Sequence, residues 1–157
     1  MSADPQNNNA EYSISTDPSK LDLTVIHGYL SGESYWAKGV PMQTVQRAVA
    51  NSFCFGVYHG KAQIGFARLV TDKATFAYLA DVFILPAHRG RGLSKRLLQE
   101  IHAHPELQGF RRWVLATRDA HGLYEQFGWK PLAEELVPRF MQILNNEVYN
   151  QPPHTNG

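Results

Sequence analysis

The sequence has little of what would assign it to a specialised class of protein. Cys54 is the only cysteine among 157 residues, so an intramolecular disulfide is excluded. The seven histidines show no metal-binding spacing, and no apolar run approaches the roughly 20 residues of a membrane helix. Residues 1–13 have neither the basic nor the apolar region of a secretory signal. We therefore expect a cytoplasmic protein without a metal site.

An excess of charge of one sign is also missing. Fifteen Lys and Arg residues face 14 Asp and Glu residues, which leaves a formal net charge of +1. Bulk electrostatics therefore gives no reason to expect nucleic acid or a membrane as a partner. The length suits one domain. We place this domain at residues 11–144, between loose polar ends at residues 1–10 and 145–157.

The hydrophobic periodicity alternates between helical and extended segments, which predicts an α/β fold with strands of mixed direction. Asp17 and Asp119 are expected N-caps, and the unit 75–117 is expected to be a right-handed crossover between two parallel strands. The predicted order is strand 12–15, helix 18–31, a helix opened by Pro41, strands 53–58, 62–71 and 75–85, helix 91–103, strand 112–117, helix 120–127 and one or two strands within 129–143.

A turn rich in glycine and arginine, residues 88–96, joins a buried strand to an amphipathic helix. Glycines let the backbone approach an anion, and the first N–H groups of a helix are unpaired and favour negative charge. Arg89, Arg91 and Lys95 add positive charge, so pyrophosphate is a natural ligand. A basic turn that only caps the helix and a nucleic-acid patch are the alternatives. The turn matches neither the Walker loop nor the dinucleotide fingerprint.

Three segments in order resemble the GNAT superfamily of acetyl-CoA-dependent N-acyltransferases. Residues 89–94, RGRGLS, resemble its Arg/Gln-x-x-Gly-x-Gly/Ala signature, and residues 81–86, DVFILP, resemble its fourth strand. Residues 123–129, LYEQFGW, resemble its Leu-Tyr-x-x-x-Gly-Phe segment. Two positions depart from the pattern: Ser94 replaces Gly or Ala, and Thr117 replaces an Asn that contacts the cofactor arm in many members.

The resemblance implies a mixed, mostly antiparallel sheet with a central parallel strand pair flanked by helices. It also implies acetyl-CoA as co-substrate. The N–H groups at 90–95 would hold the pyrophosphate, and the strand edge at 82–84 would pair with the pantetheine arm, with the Phe83 N–H polarising the thioester carbonyl. The implied cofactor-binding residues are Val82, Phe83, Ile84, Arg89, Gly90, Arg91, Gly92, Leu93, Ser94 and Lys95.

Direct transfer to an amine requires a neutral amine and a protonated leaving thiolate. The resemblance makes Tyr124 the candidate general acid, and helix packing is its alternative role. Asp81 is the candidate base because it is the only carboxylate in an apolar strand, where burial would make it more basic. Strand alternation would turn Asp81 away from the thioester unless a bulge shifts the phase, and a structural Asp is the alternative. Glu33 or a water chain could replace it, whereas Cys54 is expected to be an inert core residue.

The resemblance also places the acceptor at the loop between the first two helices. This loop holds Glu33, Tyr35 and Trp36, which would suit an aromatic or aliphatic amine, although such aromatics are more often core. We expect an N-acetyltransferase that moves acetyl from acetyl-CoA to a primary amine, on a small molecule or a peptide, in a ternary complex. The alternatives are a non-catalytic acyl-CoA sensor and, less favoured, a nucleic-acid-binding module. Because the family often dimerises, a homodimer is also considered.

Overall fold

A computed structural model describes residues 11–150. Within them one sheet has the strand order of the chain, and each neighbouring pair is antiparallel except the parallel pair β4–β5. The predicted fold class is thereby confirmed. The strands are β1 (Tyr12–Ser15), β2 (Phe53–His59), β3 (Ala62–Thr71), β4 (Phe76–Ile84) and β5 (Arg112–Val114), and the α-helices are α1 (Leu23–Gly32), α2 (Met42–Ala50), α3 (Leu93–Ala103) and α4 (His121–Glu125).

Two apolar cores lie on opposite faces of the sheet. On one face α3 buries Leu93, Leu97, Leu98 and Ile101. On the other face α1 and α2 pack on Phe66 and Phe83. The apolar face of each helix therefore packs on one side of the central strands.

A β-bulge interrupts β4 at Asp81. Phe66 pairs with Phe83 and Arg68 pairs with Ala80, so Asp81 and Val82 together face one residue of β3. Asp81 has φ +56°, a left-handed conformation that is rare in a non-glycine residue. Leu79 and Ile84 are an odd number of positions apart, yet both lie in the α3 core. The bulge therefore shifts the alternation of β4. As a result the Asp81 side chain lies on the side of the sheet that carries α1 and α2, where it accepts a hydrogen bond from Trp36.

The parallel strands β4 and β5 separate part-way along their length. Their pairing ends at Tyr78 and Val114, whereas β4 continues to Ile84. The edge of β4 beyond Tyr78 is therefore not covered by β5. This separation opens a cleft between the two strands at their carboxyl ends.

Several predicted elements differ from the structure. Pro18–Lys20 forms a 3₁₀ turn, and α1 begins after Asp22, whose carboxylate accepts from the N–H groups of Thr24 and Val25. At α4 the N-cap is Ala120 rather than Asp119. The strand predicted at 112–117 is shorter in the structure, because β5 ends at Val114.

A further difference concerns the chain after α4. Among the described residues beyond 129 there is no strand, only a 3₁₀ turn at Val137–Arg139. Pro131 and Pro138 contribute to this outcome because proline cannot donate to a strand ladder. Of the predicted loose ends, residues 1–10 and 151–157 lie outside the described part.

Candidate active site

A cavity of about 590 Å³ lies where β4 and β5 separate. Its floor is β4 from Tyr78 to Val82, one wall is the loop between α1 and α2, and the opposite wall is the chain from Leu115 to Ala120 with Tyr124. Such a volume is in the range of small-molecule sites. Asp81, Tyr35, Trp36 and Tyr124, which the sequence singles out separately, all line this one cavity.

Asp81 is held by two donors at the cavity floor. Its Oδ1 accepts a hydrogen bond from Trp36 Nε1 at 2.9 Å, and its Oδ2 accepts one from Arg68 Nε at 2.8 Å. Arg68 also donates from Nη1 to Ser52 Oγ at 3.2 Å. Both carboxylate oxygens thus accept a hydrogen bond, and one of them connects the bulge to the loop that carries Trp36.

Tyr124 presents a protonated phenol to the cavity. The residue is buried, and no hydrogen-bond partner of its hydroxyl is found within residues 11–150. Burial, with a smaller contribution from Tyr35, raises the pKa of Tyr124 to about 12. The hydroxyl therefore keeps its proton at neutral pH and has no competing acceptor in the described chain.

The anion cradle, residues 89–95, lies at the N-terminus of α3. Gly90 and Gly92 have φ values of +79° and +74°, and no atom lies within 4 Å of the position that a Cβ would take at either residue. The first bond of α3 runs from the Arg96 N–H to the Gly92 carbonyl at 3.1 Å. The preceding N–H groups of α3 have no acceptor within the helix. Arg91 and Lys95 are exposed beside them.

Arg89 has a different position from the rest of the anion cradle. Its Nε donates to the Ile84 carbonyl at 2.9 Å, and its Nη2 donates to Tyr29 Oη at 3.1 Å. These bonds attach the end of β4 to α1. Arg89 therefore contributes positive charge near the cradle while its guanidinium holds the strand end in place.

The ladder between β3 and β4 decides which N–H groups of β4 face the cleft. The Leu85 N–H donates to the Ile64 carbonyl at 2.8 Å, and alternate residues of an antiparallel strand point their N–H groups the same way. The Phe83 N–H therefore points to β3, contrary to the role expected for it. Val82 and Ile84 direct their N–H groups to the open edge.

The loop between α1 and α2 forms one wall of the cavity. Tyr35 and Trp36 are 45% and 41% exposed, so they are wall residues rather than core. The Arg118 N–H donates to Tyr35 Oη at 3.0 Å, and the Arg118 guanidinium lies 3.9 Å from the centre of the Tyr35 ring. Glu33 is exposed and is not among the residues that line the cavity.

Comparison with known proteins identifies this arrangement. The family model of the acetyltransferase (GNAT) domain matches residues 50–131. A protein of Gibberella zeae named as an acetyltransferase is 34% identical in an alignment that covers 83% of this chain and 86% of the relative. The chain belongs to the GNAT acetyltransferase family. It is therefore an acyltransferase.

Solved structures agree with the assignment to the GNAT family. A crystal structure from Xanthomonas campestris pv. campestris, described as a GNAT acetyltransferase, is 48% identical, covers 89% of this chain and 97% of its own, and has a TM-score of 0.85. Glucosamine-6-phosphate N-acetyltransferase of Arabidopsis thaliana is 12% identical, with a TM-score of 0.60 over 85% of this chain and 97% of its own. The latter shows a shared fold only.

Two residues of this GNAT cavity are missed by the sequence patterns. Asp119 lines the cavity, is exposed, and makes no hydrogen bond or ion pair in the part of the chain that the structure describes. The cap expected of Asp119 is absent, because the N-cap of α4 is Ala120 and no side chain caps the helix. The Ala120 N–H instead donates to Thr117 Oγ1 at 3.1 Å. The second is Arg68: a lone arginine in an apolar strand signals a buried carboxylate partner, but the pattern does not show which one.

Other reactive groups lie outside this GNAT site. Cys54 is buried, and burial raises the pKa of its thiol to about 11, so the thiol is protonated at neutral pH. Residues 11–150 contain no cluster of His, Cys, Asp or Glu that could hold a metal ion. In the same range the helices are too short or too polar to cross a membrane.

Proposed function

We propose that this GNAT protein is an N-acetyltransferase that moves the acetyl group of acetyl-CoA to a primary amine by direct attack in a ternary complex. The observation that carries this proposal is the cavity itself, which is lined by both the uncovered edge of β4 and Tyr124. The anion cradle follows β4 directly in the chain. We take residues 11–144 as the catalytic domain.

The cradle suits the pyrophosphate of coenzyme A. The unpaired N–H groups at the start of α3 and the exposed charges of Arg91 and Lys95 favour a doubly charged anion. The positive φ values and open space at Gly90 and Gly92 let the backbone come close to phosphate oxygens. When bound, acetyl-CoA supplies an activated acetyl thioester. Val82 and Ile84, with N–H groups on the open edge of β4, would pair with its pantetheine arm.

Two groups of this chain support the transfer. The Val82 N–H adjoins the bulge and is the donor we assign to the thioester carbonyl, in place of Phe83. The Tyr124 hydroxyl is the proton donor to the leaving sulfur. Because the pKa of Tyr124 is raised to about 12, the phenol does not lose its proton across the pH range in which amines are acetylated. Asp81 is a positioning residue in this scheme, because both of its oxygens are already bonded.

The acceptor amine is assigned to the space between the two walls of the cavity. Of the two carboxylates that line the cavity among the described residues, Asp81 is engaged and Asp119 is not. Asp119 would therefore attract the ammonium group, and Trp36 offers an aromatic surface for the rest of the amine. Water in the open cavity would carry the amine proton to solvent.

Thiol release from acetyl-CoA over a panel of primary amines tests the proposal. We expect turnover with at least one amine, and a Tyr124→Phe variant with kcat lowered roughly 10²-fold or more at unchanged acetyl-CoA affinity. Tyr149→Phe is the matched control, since it removes a hydroxyl from the same cavity and should leave kcat unchanged. Binding of acetyl-CoA without turnover on any amine would favour the sensor alternative. Equal kcat for the Tyr124→Phe variant would exclude that residue as the acid.

A further inference from the structure

Arg118 brings to the cavity a positive charge that no carboxylate of the described chain neutralises. The residue is exposed and lines the cavity, and within residues 11–150 its guanidinium forms no ion pair. Asp119, the next residue, lines the same cavity, and the two side chains do not pair with each other. The segment after β5 therefore offers a ligand one cation and one anion from consecutive residues.

Tyr35 fixes the position of Arg118 from the facing wall. The Tyr35 hydroxyl accepts the Arg118 backbone N–H at 3.0 Å, and the guanidinium carbon lies 3.9 Å from the centre of the Tyr35 ring. A guanidinium that stacks on an aromatic ring keeps the N–H groups of its edge free. This edge can donate two parallel hydrogen bonds to one carboxylate. Arg118 is therefore a positioned donor rather than a freely moving surface charge.

The balance of charge in the cavity favours a carboxylate over a phosphate as the ligand of Arg118. Among the described residues that line it, the charged side chains are Arg68, Asp81, Arg118 and Asp119, so positive and negative charges are equal in number. Arg68 and Asp81 neutralise each other at 2.8 Å. The other two charges match a ligand with one carboxylate and one ammonium group. A phosphate would bring a second negative charge close to Asp119.

We infer, on the basis of the proposed function, that the acceptor is an α-amino acid with an apolar or aromatic side chain. Arg118 binds its carboxylate, and Asp119 attracts its ammonium group. Because these residues are consecutive and line one cavity, the two groups they bind lie close together, as they do in an α-amino acid. Trp36, Tyr78 and Tyr149 line the same cavity and are 36–41% exposed, so they offer apolar surface to the amino-acid side chain.

The inference specifies the acceptor and leaves the proposed chemistry as it is. The α-nitrogen forms a bond to the acetyl carbon, and the bond between that carbon and sulfur breaks. Tyr124 gives its proton to the sulfur and regains one from solvent, while the nitrogen releases a proton to water. The products are an N-acetyl amino acid and coenzyme A.

Matched acceptors that differ only in the carboxylate test the inference. In the thiol-release assay phenylalanine is compared with phenethylamine, and leucine with isopentylamine. We expect kcat/KM to be roughly tenfold or more higher for the amino acid of each pair. Arg118→Gln should remove this preference, and Arg118→Lys, which keeps the charge but not the planar edge, should retain part of it. Arg111→Gln, the same substitution at an exposed residue outside the cavity, should retain it in full.

Calorimetric titration in the presence of free coenzyme A adds a readout that needs no turnover. Phenylalanine should bind the wild type roughly tenfold more tightly than phenethylamine does, and Arg118→Gln should abolish the difference. Arg118-dependent binding without turnover would support the amino-acid site and overturn only the proposed acetyl transfer.

Three results would overturn the inference itself. The first is equal kcat/KM and equal affinity within both pairs, and the second is a preference that survives Arg118→Gln. The third is a larger gain for phosphoethanolamine over ethanolamine than either carboxylate produces. Turnover of the amines in any of these cases would leave the N-acetyltransferase proposal intact.

Discussion

Replacing Asp81 by Asn separates a structural role of this carboxylate from a catalytic one. Asn keeps the shape and can still accept the Trp36 hydrogen bond, but it removes the charge that pairs with Arg68 at 2.8 Å. The side chains of Arg68 and Asp81 are 18% and 12% exposed, so the pair is largely withdrawn from water. Removing one partner of a fully buried pair costs about 3–5 kcal/mol. Arg68 keeps its bond to Ser52 and some water, so we expect the free energy of unfolding to fall by about 2–3 kcal/mol.

Urea denaturation measures this decrease in the free energy of unfolding. Thiol release, measured from acidic to alkaline pH, shows whether the substitution also changes catalysis. We expect a lower unfolding midpoint, with kcat within tenfold of the wild type and a pH profile of the same shape. Loss of a general base would instead lower kcat about 10²–10⁴-fold. Unchanged stability together with a kcat reduced more than 100-fold would refute the structural role. Asp119→Asn is the matched control for stability, because its carboxylate makes no bond in the described structure.

Two further predictions concern single side chains. Asp119→Asn should raise KM for the amine roughly tenfold at unchanged acetyl-CoA affinity, whereas Glu33→Gln, outside the cavity, should change neither quantity. Steady-state kinetics measures both variants. A raised KM for Glu33→Gln together with an unchanged KM for Asp119→Asn would assign the amine to Glu33 instead. Because the pKa of Cys54 is raised from 9.0 to about 11, iodoacetamide should alkylate it far more slowly in the native protein than in urea, and comparable rates would contradict the burial. The native state should also lose stability as the pH rises from about 9 toward 11, since only the unfolded thiol ionises there.

Local patterns were sufficient for most of the fold. The apolar strand 75–85, the glycine turn and the amphipathic helix that follows each depend on short-range periodicity, and β4 and α3 occupy nearly the predicted residues. The chain beyond 129 was not predictable in this way. Its apolar residues suggested strands, but prolines at 131 and 138 and the lack of a local pairing partner leave it outside the sheet.

The residues of the candidate site could be predicted from the sequence, but the hydrogen bonds between them could not. Tyr124, Asp81 and the loop with Tyr35 and Trp36 could be named from motifs, and they do line one cavity. The bonds of Asp81 to Trp36 and Arg68 join residues 45 and 13 positions away, and no local pattern reports such contacts. The direction of the Phe83 N–H depends on the β3–β4 register, which is likewise a tertiary property.

Calorimetric titration of acetyl-CoA into the wild type and a Gly92→Asp variant tests whether the glycine turn before α3 holds the cofactor. Gly92 is the N-cap of α3 and has φ +74°, so Asp there would both strain the backbone and place a negative charge where the pyrophosphate is assigned. Gln99→Asp, on the exposed face of the same helix, is the control. We expect measurable binding by the wild type and the control, and affinity reduced at least 100-fold in the Gly92→Asp variant. Equal affinity in all three proteins would exclude the cradle as the pyrophosphate site.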